Sequence, residues 1–167
     1  MRVYLPSTFD HLAQLHAEGS HPVVGGYGFT ATPALIEAFE GLELEDVEYY
    51  AFLDAAEASL RLLHAGVENQ PHRRVVVSVD IDDAACTIDE ELGDSVVSVA
   101  VDRVPMKHIA SIHIDPAANE EATAAAVAAI VESDLGEEDA ANTVADAQDN
   151  FMAYREPSHL ERFLTNP

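Results

Sequence analysis

The sequence predicts an α+β fold: a mixed or mainly antiparallel sheet of about four to five strands, one face covered by helices, and a helical C-terminal third. Three observations carry this. Residues 73–81, 95–101 and 109–114 alternate with period two, apolar on one face and small or polar on the other. Fully buried parallel strands would read as unbroken apolar runs instead. Residues 46–65 repeat apolar side chains at spacings of three and four, the stripe of a long, largely buried helix. Beyond Pro116 the chain is helical again. A chain of 167 residues that is 48% hydrophobic can bury a core as a single domain, 1–167, without staples.

Taken in order, Arg2–Leu5 is a first strand ended by Pro6. Ser7-Thr8-Phe9-Asp10 resembles a capping box. It opens a helix to about Glu18, closed by Gly19. Val23 to Thr30 is a second extended segment, interrupted by Gly25, Gly26 and Gly28. Thr32-Pro33 combines a threonine N-cap with proline at the first helical position, and that helix fades near Gly41. The long helix follows, with Tyr49, Phe52, Leu53, Ala56, Leu60 and Leu63 as its stripe. Glu57 sits four residues before Arg61 on its polar side, the favourable order. In the three strands, Val75, Val77, Val79 and Ile81, then Val97, Val99 and Val101, then Ala110, Ile112 and Ile114 form the apolar faces. Asp115 or Asn119 then caps a helix with a narrow stripe of Ala124, Val127, Ala128 and Val131. Another helix starts near Glu137, and Ser158-His159-Leu160-Glu161 resembles a capping box before a last one.

Asp and Glu total 31 against 8 Lys and Arg, a formal net charge of −23. Clustered cations are what hold a phosphate backbone or an anionic bilayer, so the charge argues against nucleic-acid and membrane partners. No run approaches the length of a membrane span, and Pro6 breaks the N-terminus too early for a signal sequence. The chain reads as cytoplasmic. Cys86 is the only cysteine, so no intramolecular disulfide forms. Asp82, Asp83 and Asp89 near it in sequence disfavour a thiolate.

Several segments carry a resemblance: Met1-Arg2-Val3-Tyr4-Leu5-Pro6, Thr32-Pro33-Ala34-Leu35, Ala58-Ser59-Leu60-Arg61-Leu62-Leu63, Arg73-Arg74-Val75-Val76, Ile109 to Asp115, and the acidic stretch Asp139 to Asp149. Together they resemble an uncharacterised group of small actinobacterial proteins, a domain of unknown function. The resemblance implies a cytoplasmic bacterial protein and transfers no functional residue.

Four constellations are candidates for chemistry. If the strands pair in order, Ser78, Asp80, Ser98, Ser111, His113 and Asp115 share the polar sheet face. Ser111, His113 and either Asp80 or Asp115 are the materials of nucleophilic catalysis, but no G-x-S-x-G elbow is present and the register decides the geometry. Asp139, Asp146 and Asp149 share one helix face with Asn142, a carboxylate set suited to a divalent metal, without a calcium-loop pattern. The eight histidines form no metal-binding spacing. Gly25-Gly26-Tyr27-Gly28 precedes a helix but lacks the lysine of a phosphate loop, and reads as a bulge or close backbone approach. No cofactor is expected. The function expected is recognition through an interaction surface without catalysis. A homodimer or protein partner would use Phe151, Met152, Tyr154, Leu160, Phe163 and Leu164. The alternative is a hydrolase using the Ser/His/Asp face or an Asp-bound metal.

Overall fold

The computed structural model describes residues 1–66 and 70–167. In chain order the elements are β1 (Arg2–Ser7), α1 (Phe9–Glu18), β2 (Ser20–Pro22), β3 (Tyr27–Phe29), α2 (Pro33–Ala38), α3 (Leu44–Ala65), β4 (Val75–Asp80) and β5 (Cys86–Ile88). Then come β6 (Val96–Val99), β7 (Arg103–Pro105), β8 (Ile109–Ile114), α4 (Glu120–Asp134), α5 (Glu138–Gln148), β9 (Ala153–Arg155) and α6 (Leu160–Thr165). Seven strands form one sheet in the order β5-β6-β3-β1-β4-β8-β9, and β2 pairs with β7 in a separate ribbon. Every pairing is antiparallel.

The strand count corrects the expected four to five. The additional strands β2, β5, β7 and β9 have three residues each, too few to display a period. A second correction concerns coverage, because helices cover both faces of the sheet. On one face Val3, Leu5, Val75, Val77, Val97 and Ile112 pack against Phe9, Leu12 and Leu15 of α1 and Leu160 and Phe163 of α6. On the other, Val76, Val96 and Phe29 meet Val47, Ala51, Phe52 and Ala55 of α3. The α4–α5 hairpin packs on the far side of α3 through Leu60, Leu63, Ala126, Ile130, Val144 and Ala147.

The local chemistry explains the main elements. Thr32 Oγ1 accepts from the Leu35 amide at 3.1 Å, with Pro33 at the first helical position of α2. Thr8, rather than Ser7, caps α1 through His11 N, and Ser7 is drawn into the core. Gly19 ends α1 in the left-handed conformation at φ +72°. Pro6 lies inside β1, paired with Val76. Because β3 pairs with β1 only at Tyr4, one side of Pro6 has no partner strand to lose a donor. Gly28 is fixed by close approach: a Cβ there would lie 2.5 Å from Val3 Cγ1 and 2.9 Å from Leu5 Cδ2. Helix α3 sits close to the sheet because its facing residues are small. Ser59 Oγ donates to Ser7 O at 2.8 Å and accepts from Val75 N at 3.1 Å, tying the helix to β1 and β4.

At the chain end, the aromatic tail packs on its own fold. Leu160, Phe163 and Met152 are buried, while Phe151 and Tyr154 remain exposed. No described helix is long and apolar enough to cross a membrane.

Candidate functional site

The strand register lays out the polar face in rows. Tyr4 opposes Ser78, and Ser78 opposes Ser111. In the next row Pro6, Val76, His113 and Tyr154 stand side by side. Ser111 and His113 are two residues apart on β8 and so share a face, separated by about 7 Å of strand. Over these rows lies the N-terminal half of α3, and the segment 150–152 closes one side. Between them is a cleft of about 400 Å³, floored by Tyr4, Ser78, Ser111 and His113 and walled by Tyr49, Phe52, Phe151 and Met152. Glu45, Glu48, Arg2 and Arg74 also line it.

Aromatic rings dominate the walls. Phe52 meets His113 edge-to-face at 4.9 Å and Tyr4 at 6.0 Å, and Tyr49 stacks on Phe52 at 5.9 Å. Tyr154 meets the other side of His113 at 5.8 Å. Burial holds the His113 imidazole below its ordinary pKa, so it is neutral near pH 7. Its Nδ1 is buried without a hydrogen-bond partner among the described residues. Burial, then the Glu48 carboxylate, raises the Tyr4 phenol.

The carboxylates proposed for catalysis are committed elsewhere. Asp115 is fully buried and forms a bidentate pair with Arg74, which is equally buried: Nε–Oδ2 is 2.9 Å and Nη2–Oδ1 is 2.7 Å. Asp115 also accepts from Arg74 N and Thr123 Oγ1, each at 2.8 Å. It therefore caps no helix, and Asn119 makes no side-chain cap to α4 either. Arg74 donates onward to Gln148 Oε1 at 2.9 Å and Asn150 O at 3.0 Å. Asn119 Nδ2 donates to Phe151 O at 2.8 Å. One buried ion pair thus fixes the segment that walls the cleft. Asp80 is exposed and pairs with Arg2 at 2.7 Å. That hydrogen bond lowers the Asp80 pKa and raises that of Arg2.

The structure therefore brings Ser111, His113 and Ser78 to one cleft but does not bring Asp80 or Asp115 to His113. The shortest serine–histidine contact is a different one. Ser7 Oγ lies 2.7 Å from His21 Nε2. Both side chains are fully buried, with no opening for a substrate, and burial drives His21 down to a pKa of about 3. Asp139, Asp146 and Asp149 are exposed on and just after α5. Among the described residues, no group of three or more His, Cys, Asp and Glu is placed to hold a metal ion. Cys86 is held as a thiol, chiefly by burial and secondarily by Asp83 and Asp82. Gly25, Gly26 and Gly28 supply turns and close approach rather than a phosphate cradle.

Sequence reasoning missed the cleft's walls. Tyr49 and Phe52 both fall on the stripe that predicts burial, yet Tyr49 is 56% exposed. A signal existed: Tyr49, Tyr50, Phe52 and Leu53 in five residues exceed what one helix face can bury. Glu45 and Glu48, one turn apart beside these aromatics, form no motif that sets them apart from the other acids.

Fold and site together define an α+β protein with an aromatic-walled cleft between a sheet face and its covering helix. The chain belongs to a family of unknown function (DUF6912), whose model matches residues 1–164. No curated protein and no solved structure matches it significantly.

Proposed function

We propose that this protein is a recognition domain that binds a ligand in the His113 cleft without transforming it. The observation that carries the reading is the division of labour among the acids. A serine nucleophile needs a base within about 3 Å and an acid to orient that base. In the cleft, His113 has neither an acid partner nor a bonded serine among the described residues, and Asp115 is locked to Arg74 and Asp80 to Arg2. What remains is concave, largely aromatic and of a volume typical for small ligands. Phe151 and Tyr49, exposed at 73% and 56%, line it, and Tyr154, exposed at 49%, stands beside His113. Such clustered exposed aromatics are uncommon on a surface with no binding role.

The test has two arms. Titrating isotope-labelled protein with benzyl alcohol should shift the resonances of His113, Phe52 and Tyr49 in a saturable way. Hydrolysis of p-nitrophenyl acetate and p-nitrophenyl phosphate should stay at background and be insensitive to His113→Ala. Turnover abolished by that substitution would return the site to the hydrolase class.

A further inference from the structure

The chemistry of the cleft selects the charge of what it binds. Resting on the recognition reading above, we infer that the ligand is a small organic cation, an ammonium group on an aromatic or aliphatic stem.

The lining contains two guanidinium groups and two carboxylates, an apparently neutral set. The guanidinium groups are not free, however. Arg74 is matched by Asp115 at 2.7 Å with its remaining donors on Gln148 and Asn150, and Arg2 is matched by Asp80 at 2.7 Å. Neither Asp80 nor Asp115 lines the cleft. Counting the two carboxylates that pair the arginines, four carboxylates stand against two guanidinium groups, so the cleft and its rim are net negative, with Glu45 and Glu48 in the lining itself. Neither makes an ion pair among the described residues. His113 adds no positive charge near pH 7. An anionic ligand would find only the half-exposed Arg2, which already pairs with Asp80, because Arg74 is held in a fully buried pair.

The walls agree with the charge. Rings attract cations through the negative potential of their faces, and carboxylates beside them add to the attraction. Tyr4, Tyr49, Phe52 and Phe151 line the same cleft as Glu45 and Glu48. Beyond Tyr49 and Leu53 a second hollow continues the pattern, with Asp46, Asp149 and Tyr50 in its lining and no cationic side chain. An anion moving along this surface would meet acids throughout. A volume of about 400 Å³ suits a free small molecule rather than a folded partner.

Three probes of similar size decide the matter: phenethylammonium, 2-phenylethanol and phenylacetate, each titrated at one ionic strength and followed by the resonances of His113 and Tyr49. The cation should bind at least about fivefold more tightly than the alcohol, and the anion more weakly than both. Glu45→Gln combined with Glu48→Gln should bring the cation to the level of the alcohol while leaving the alcohol unchanged. Both positions are on the surface of α3, so the fold should survive, and far-UV circular dichroism checks that it does. If the alcohol binds as well as the cation, or the anion binds better, the charge assignment fails while the recognition cleft stands. If none of the three shifts the cleft resonances, the recognition reading fails and the cation inference with it. Tighter binding by a lysine-containing peptide than by the free amine would give the site to a protein partner and overturn the small-molecule assignment.

Discussion

Asp115→Ala tests how far one ion pair holds the site together. Asp115 is fully buried and accepts from the Arg74 backbone, the Arg74 side chain, Thr123 and, at 3.3 Å, Asn119. Truncation leaves the Arg74 guanidinium buried with only two neutral acceptors, Gln148 Oε1 and Asn150 O. Breaking a buried pair from one side costs about 3–5 kcal/mol, because the surviving charge stays desolvated. Thr123 loses its acceptor as well, which places the loss toward the upper end. For a chain of this size that is a fall in Tm of roughly 10 °C or more. Urea unfolding followed by circular dichroism measures the loss. Arg74→Met with Asp115→Leu removes the charge and fills the space, and should recover at least half of it. Hydrogen exchange should show faster opening at Phe151 and Met152 in the single variant, since Arg74 and Asn119 hold that segment. A loss below about 1.5 kcal/mol in the single variant, or a double variant as unstable as the single, would falsify the assignment of this pair as the site's anchor.

Three further outcomes follow from the geometry. His21, with a folded pKa of about 3 against about 6.5 unfolded, is depressed on folding; its contribution is whole above pH 6.5 and lost as the pH falls toward 3, about 2 kcal/mol of it between pH 7 and 5. His21→Gln should flatten the pH dependence of urea unfolding by that amount, and parallel curves for the two proteins would refute the shift. Gly28→Ala should destabilise by about 1–3 kcal/mol, because its Cβ meets Val3 and Leu5 in a filled core; an unchanged urea midpoint would show that the strands yield. Arg61 bonds Glu57 at 2.6 Å and Asp134 at 2.7 Å, but it is 41% exposed. Arg61→Ala should therefore cost no more than about 1 kcal/mol, less in high salt.

What could be read from the sequence was what repeats. The long strands and α3 were legible because six or more residues display a period. The three-residue strands were not, and Ser20–Pro22 and Ala153–Arg155 carry no pattern that separates them from loop. Alternation showed that the two sheet faces differ, not that the polar one is wet. Val76 packs against the alanines of α3, and Ser78, on the cleft floor, is buried as well. Parity also misplaced Asp115. It continues the alternation of Ser111 and His113 but lies beyond the last strand residue, Ile114, where its carboxylate turns to Arg74 instead. Nothing in the spacing tells which of 31 acids an arginine will choose. Ser7 behaved likewise: its capping pattern was genuine as a pattern, but Thr8 took the cap and left Ser7 to His21.

The use of the few cations explains why bulk charge and cleft charge have the same sign. The chain has 8 Lys and Arg, and Arg2, Arg61, Arg74 and Arg103 are each held in an ion pair. Arg73 is buried, donates to Asp115 O at 2.8 Å and lies over the Phe9 ring at 5.3 Å. Five of the eight cations are thus engaged in joining elements, and most acids at caps, turns and outward helix faces are left uncompensated. Their long-range field and the two cleft glutamates act over different distances. At about 0.15 M salt the screening length is roughly 8 Å, so the distant acids contribute little to a bound ligand. Glu45 and Glu48 border the cleft itself and are screened less. Raising salt from about 0.01 M to 0.15 M should therefore slow the association of phenethylammonium much more than it reduces the cation's advantage over 2-phenylethanol at equilibrium. Equal loss of both would mean that discrimination comes from the net charge of −23 and that the cleft contributes only its rings.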